Sequence, residues 1–124
     1  MSNQIFQRAI RGAITVEENT KDEIKRATLT LLTEMLIKNQ VNNDSISHVI
    51  FTLTKDLDAA FPAKFAREEL AWDLIPMMCF NELDVKDSLK KCLRILIVFN
   101  TEKTQKEVYH IYLKGAQKLR PDLT

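Results

Sequence analysis

Glycine and proline are scarce in this chain. Its 124 residues hold two glycines, Gly12 and Gly115, and three prolines, Pro62, Pro76 and Pro121. Without a glycine-rich loop there is nothing to cradle a phosphate chain, so nucleotide binding is not expected. Few breakers also imply few connections, most of them polar. Cysteine is as sparse. Cys79 and Cys92 cannot make a disulfide framework, and a reducing cytoplasm is the simplest setting for them. The two histidines, His48 and His110, lie far apart, and neither has a carboxylate or cysteine at ligand spacing. No metal centre is expected on that ground. Neither sign of charge dominates: 18 Lys and Arg face 17 Asp and Glu, for a net charge of +1. Such a balance gives no support to a nucleic-acid or anionic-membrane partner. No apolar run approaches the ~20 residues of a membrane span. Met1-Ser2-Asn3-Gln4 shows no charged leader before an apolar stretch, so no secretory signal is expected.

What is present fits one folded domain spanning residues 1–124. Hydrophobic residues make up 45% and charged residues 28%, enough for one real core and too apolar for disorder. Residues 5–16 lack helical spacing and end in Ile14, Thr15 and Val16, which predicts a first strand carrying Arg11-Gly12. Thr20 precedes Glu23 by three residues, a capping-box signature. Behind it Ile24, Ala27, Leu31, Met35 and Leu36 recur at helical spacing, predicting a helix over 21–39. A second strand is expected over 49–54 and a loop over 56–61. Pro62 then suits the first turn of a short helix over 63–70. A third strand is expected over 75–80. Residues 92–100 are almost continuously apolar, which predicts a strand buried on both faces. Val108, Tyr112, Leu113, Ala116 and Leu119 have helical spacing and predict a last helix over 106–119. The order β-α-β-α-β-β-α implies an α/β or α+β chain, a mixed sheet with helices on one face. The uncovered face of so small a sheet favours oligomerisation.

No Ser, His and acid combination stands out as a nucleophile system. An enzyme of this composition works by positioning and fixed charge. Arg94 interrupts the apolar run over 92–100, and a guanidinium there needs a partner. It either snorkels to a sheet edge or pairs with an acid such as Glu82, or it is an always-charged donor aimed at an anionic ligand. Arg11 carries the same alternatives, beside a glycine that lets a ligand approach the backbone. Taken singly, Glu82 reads as a solvated loop acid, Cys79 as a buried thiol and Tyr112 as half-core.

Four blocks change that balance. They are Ile10-Arg11-Gly12-Ala13 with Thr15-Val16-Glu17; Asp56-Leu57 through Phe61-Pro62-Ala63-Lys64 and Arg67-Glu68; Pro76 through Cys79 and Glu82 to Cys92 and Arg94; and His110 with Tyr112-Leu113 through Leu119-Arg120-Pro121-Asp122-Leu123. In this order they resemble the monofunctional, trimeric α/β chorismate mutases, a fold of ferredoxin-like kind, and not the all-helical class. The resemblance runs from about residue 9 to the end of the chain.

It implies a homotrimer of barrel-like build, with active sites between subunits, and the Claisen rearrangement of chorismate to prephenate in phenylalanine and tyrosine biosynthesis, without a cofactor or metal. It implies Arg94 as the cation at the breaking ether bond, rather than as a salt-bridge partner of Glu82. Glu82 and Cys79 would bind the ring hydroxyl. Arg11 and Tyr112 would hold a carboxylate. Phe61, Ala63, Lys64 and Leu119 would line the cleft, with Arg67 and Arg120 at its mouth. The tail 119–124 would be mobile until it orders over ligand. Met77, Met78 and Leu83 depart from the familiar pattern beside Cys79 and Glu82, which bears on pocket shape. The alternative is a trimer that binds a dicarboxylate metabolite without catalysis.

Overall fold

The computed structural model describes residues 4–123, so the expectation placed on Met1-Ser2-Asn3 falls outside it, as does Thr124. The chain builds β1 (Phe6–Thr15), α1 (Lys21–Lys38), β2 (Ile46–Leu53), α2 (Pro62–Leu70), β3 (Met77–Asn81), β4 (Cys92–Thr101) and β5 (Ile111–Leu113). The strands form one sheet in the order β3-β2-β4-β1-β5. β4 runs antiparallel to both neighbours, while the β2–β3 and β1–β5 pairs are parallel. The architecture is α+β, with a mixed sheet.

Local chemistry sets the helix ends. The Thr20 hydroxyl accepts the Glu23 N–H at 3.1 Å and caps α1, a contact worth about 1 kcal/mol. Glu23 does not return the bond expected of a full box; its carboxylate pairs with Arg26 at 2.8 Å. At the other end the buried Asn39 side chain donates to the Met35 carbonyl and to the Tyr109 carbonyl, and accepts the Tyr109 N–H at 2.7 Å. One amide thus ties the end of α1 to the segment that leads into β5. Pro62 occupies the first turn of α2, and Ala71 closes that helix at φ 57°. The β2-α2-β3 stretch is a crossover joining adjacent parallel strands.

The helices cover one face of the sheet. Ile10 and Ile14 of β1, Phe51 and Leu53 of β2, and Leu93, Ile95, Ile97 and Phe99 of β4 meet Ile24, Leu31, Leu32 and Met35 of α1 and Phe65 of α2. Gly12 lies on this face. A Cβ there would overlap Met35 Sδ and come within 3.1 Å of Leu31 Cδ1, so glycine leaves the room in which these two α1 side chains pack on β1.

Two expectations are corrected. β4 is buried along its helix-facing residues, but Arg94 and Asn100 on the other face are exposed and Leu96 is half-buried. Neither α-helix covers that side; Cys92 and Val98 are buried on it, Cys92 in a small cluster with Ala13, Tyr112 and Ala116 of the 3-10 segment Lys114–Leu119. The helix expected over 106–119 also does not form. A 3-10 turn (Gln105–Glu107), β5 and a 3-10 segment (Lys114–Leu119) stand in its place. Thr104 and Glu107 cap each other reciprocally and close that first turn. Lys114 takes φ 52°, which breaks any continuous helix. Between them, residues 111–113 satisfy the backbone groups of β1's free edge, and pairing outweighs local spacing.

Candidate active site

Side chains alternate between the faces of a sheet, so register decides which groups meet. On the face away from the helices, Arg94 lies beside Ala13 of β1 on one flank and Thr52 of β2 on the other. Arg11 pairs with Leu96, and Tyr112 pairs with Ala13. These strands frame a cavity of about 360 Å³ that brings together Arg11, Glu82, Arg94, Tyr112, Leu119 and Arg120. Ile50, Thr52 and Leu96 form part of its floor.

Arg94 Nε sits 3.2 Å from Glu82 Oε2. The expectation that Glu82 is not the arginine's salt-bridge partner is corrected for the chain by itself. Glu82 follows β3 directly, and its N–H bonds to the Leu53 carbonyl at 2.8 Å, which carries the carboxylate onto the same face as Arg94. The side chains are 45% and 25% exposed. A pair this open contributes about 0–1 kcal/mol, so an anionic ligand could rearrange it at little cost. The Thr52 hydroxyl donates to the same carboxylate oxygen at 2.8 Å. Behind the pair, burial pushes the Cys92 thiol up, and the nearby Arg94 partly offsets this.

Arg11 is exposed, and its backbone N–H donates to His110 Nδ1 at 2.9 Å. An accepting Nδ1 requires a neutral ring. Partial burial, then the charges of Arg11 and Arg120, hold the His110 imidazole below its usual range, in keeping with that bond. Arg120 binds Asp122 through Nε at 3.1 Å and Nη2 at 2.9 Å, a two-pronged contact that holds the Asp122 carboxyl down. The cavity therefore gathers three arginines and one carboxylate, and with Asp122 on Arg120 the group keeps a net positive charge, the sign that attracts an anion.

The remaining candidates lie elsewhere. Phe61 and Cys79 line a second hollow of about 450 Å³ with Leu57, Ala60 and Phe80. Desolvation pushes the Cys79 thiol up, while the nearby Ala63 N–H pulls the other way. Cys79 thus touches the start of α2, where Lys64 and Arg67 are exposed. Cys79 pairs with Phe51, on the sheet face opposite Thr52 and Arg94. Met77 shares the Cys79 face and packs on the core, whereas Met78 lies on the Arg94 face, 60% exposed. Leu83 lines a third hollow, of about 370 Å³, with the loop over 84–90. Sequence reasoning missed Thr52, Ile50 and Leu96. Alternation along β2 was the only available signal, since the partners that give Thr52 meaning are distant in sequence.

Fold and site together define an α+β protein with an arginine-rich pocket on the sheet face away from α1 and α2. The chorismate mutase type I model matches residues 7–123. The chain is 39% identical over 117 residues to chorismate mutase AroH of Bacillus subtilis (strain 168), covering 94% of this chain and 92% of that one. Against chorismate mutase AroH of Thermus thermophilus the identity is 44% over 117 residues, with 94% and 95% covered. A solved chorismate mutase from Clostridium thermocellum superposes with a TM-score of 0.86 at 52% identity, covering 89% of this chain and 97% of that one. The chain belongs to the type I chorismate mutase family, and on that account it is an isomerase. Among the described residues no helix is long and apolar enough to cross a membrane.

Proposed function

We propose that the chain converts chorismate to prephenate by holding the substrate in its reactive chair-like form and stabilising charge on the ether oxygen. The ether C–O bond breaks as a C–C bond forms, and the protein exchanges no proton, electron or leaving group with the substrate. The observation that carries this reading is the placement of Arg94 beside Glu82 on an open sheet face, with Arg11 and Tyr112 on the same cavity wall.

Each role has a physical basis. Oxygen gains negative charge as its bond to carbon lengthens, so a cation beside it binds the transition state better than the ground state. Arg94 is that cation; its Nε lies 3.2 Å from Glu82, and a guanidinium carries five N–H donors, enough to meet both the acid and a ligand. One such donor is typically worth about 3–4 kcal/mol in a dry site. Glu82 accepts the ring hydroxyl's proton in a hydrogen bond, and Cys79 contacts the same hydroxyl. Arg11 and Tyr112 hold a carboxylate. Phe61, Ala63, Lys64, Met78 and Leu119 wall the cleft, with Arg67 and Arg120 at its rim. The tail from Leu119 orders over bound ligand.

These roles need a second copy of the chain. Arg94, Glu82, Arg11 and Tyr112 share one sheet face, whereas Cys79 and the start of α2 lie against the other. Within one chain the sheet separates the two groups. β3 is an edge strand, so in a symmetric ring the Cys79 side of one subunit meets the Arg94 side of the next. Met78 and Phe80 are exposed next to the half-buried Ile50 and Leu96, an apolar patch that such a neighbour covers. The assembly is a homotrimer with three shared sites, each chain contributes one domain, and the free thiols suit a reducing cytoplasm. Purified protein mixed with chorismate should speed the loss of its ultraviolet absorbance far beyond the spontaneous rate, and sedimentation should give a trimer. An unaccelerated reaction contradicts the activity, and an active monomer contradicts the shared site.

A further inference from the structure

We propose that Thr52 is a positioning residue for the reaction: its hydroxyl fixes the Glu82 carboxylate, and Glu82 in turn sets the direction of Arg94. The inference rests on the reading that Glu82 and Arg94 face the ligand.

Three adjacent strands converge here. Thr52 of β2 is the register partner of Arg94 on β4 and of Phe80 on β3, and Glu82 stands two residues beyond Phe80. The Thr52 hydroxyl donates to Glu82 Oε2 at 2.8 Å, and Arg94 Nε lies 3.2 Å from that same oxygen. The other oxygen, Oε1, accepts the Leu83 N–H at 3.4 Å, a long contact that holds little, and no other hydrogen bond to it is present among the described residues. Arg94 and Thr52 are therefore the two groups that hold this carboxylate. Arg94 is also the group that has to aim at the ligand, so Thr52 is the anchor of Glu82 that does not depend on the arginine.

The anchor is stiff. A β-branched side chain has a restricted χ1, and Thr52 is half-buried near the end of β2, with a paired strand on each side. A hydroxyl has a single proton, and here it is committed to Glu82. Thr52 therefore acts through Glu82 and makes no donor contact with the ligand. A purely structural threonine would be present for strand preference and packing, both of which valine supplies equally.

That contrast defines the experiment. Steady-state kinetics with chorismate are measured for Thr52→Val, Thr52→Ser, Glu82→Gln and the Thr52→Val/Glu82→Gln double variant, with thermal melts for each. Thr52→Val should lose on the order of 10–100-fold in kcat/KM, the usual effect of removing a group that orients a site residue, with the larger part in kcat. Thr52→Ser should restore activity, and the double variant should be no worse than Glu82→Gln alone. If Thr52→Val does not fold, Thr52→Ala set against Thr52→Ser carries the same comparison. Wild-type kcat and KM in Thr52→Val, or losses that simply add in the double variant, would overturn the proposal while Glu82→Gln is impaired. A fully active Glu82→Gln would instead overturn the site reading beneath it.

Discussion

Arg94→Lys should lower kcat by about 10²–10³-fold, the cost of removing one well-aimed donor from a developing oxyanion, while the melting temperature stays close to wild type. Lysine keeps the charge and loses the planar fork. Arg94 needs that fork, because Nε is held by Glu82 at 3.2 Å while other N–H groups must reach the ligand. A single ammonium cannot hold the acid and aim at the ether oxygen in the same geometry. Stability should change little, because Arg94 is 45% exposed and Glu82 keeps the Thr52 hydroxyl when the arginine is gone. Kinetics with chorismate and a melt followed by circular dichroism check both halves. A kcat within a few-fold of wild type would remove Arg94 from the role of transition-state cation.

Phe80→Glu should yield a folded monomer whose kcat/KM falls by at least about 10²-fold, since half of each site is then missing. Phe80 is 47% exposed on an edge strand, so a charge there costs the isolated chain little. At a subunit contact the same carboxylate is desolvated with no partner, which disfavours assembly by several kcal/mol. Phe80 itself is assigned no contact with substrate. Sedimentation and circular dichroism establish the folded monomer, and the chorismate assay reads the loss. A folded monomer with wild-type kcat/KM would show that one chain suffices.

Much of this arrangement was legible in the residues. Helical spacing and a cap at Thr20 located α1, Pro62 located the start of α2, and the apolar run located β4. β5 was not legible. Three residues are too few to display a period of two, and Tyr112, Leu113 and Ala116 also fit a helix. What decides the matter is the unpaired edge of β1, which is distant in sequence. Arg94 stood out as a charge in an apolar strand. Cys79 and Tyr112 did not stand out by pattern, since a half-buried thiol and a buried tyrosine are ordinary core residues; only the resemblance singled them out. The division of the site between two sheet faces could not be read in advance either. It follows from pairing register, and a shift of one residue would move Arg94 to the helix side.

The most direct test of a shared, Arg94-centred site is activity recovered by mixing inactive chains. Arg94→Ala and Lys64→Ala proteins, each assayed alone, are unfolded together in equal amounts and reassembled. Arg94 belongs to the open-face cavity, and Lys64 to the start of α2 beside Cys79. If each site draws these two residues from different subunits, random mixing leaves about one quarter of sites intact. Arg94→Ala mixed with Arg11→Ala should recover nothing, because both residues line the same cavity of one chain. Recovery near one quarter in the first mixture and none in the second is the predicted result. No recovery in the first mixture, or equal recovery in both, would contradict it.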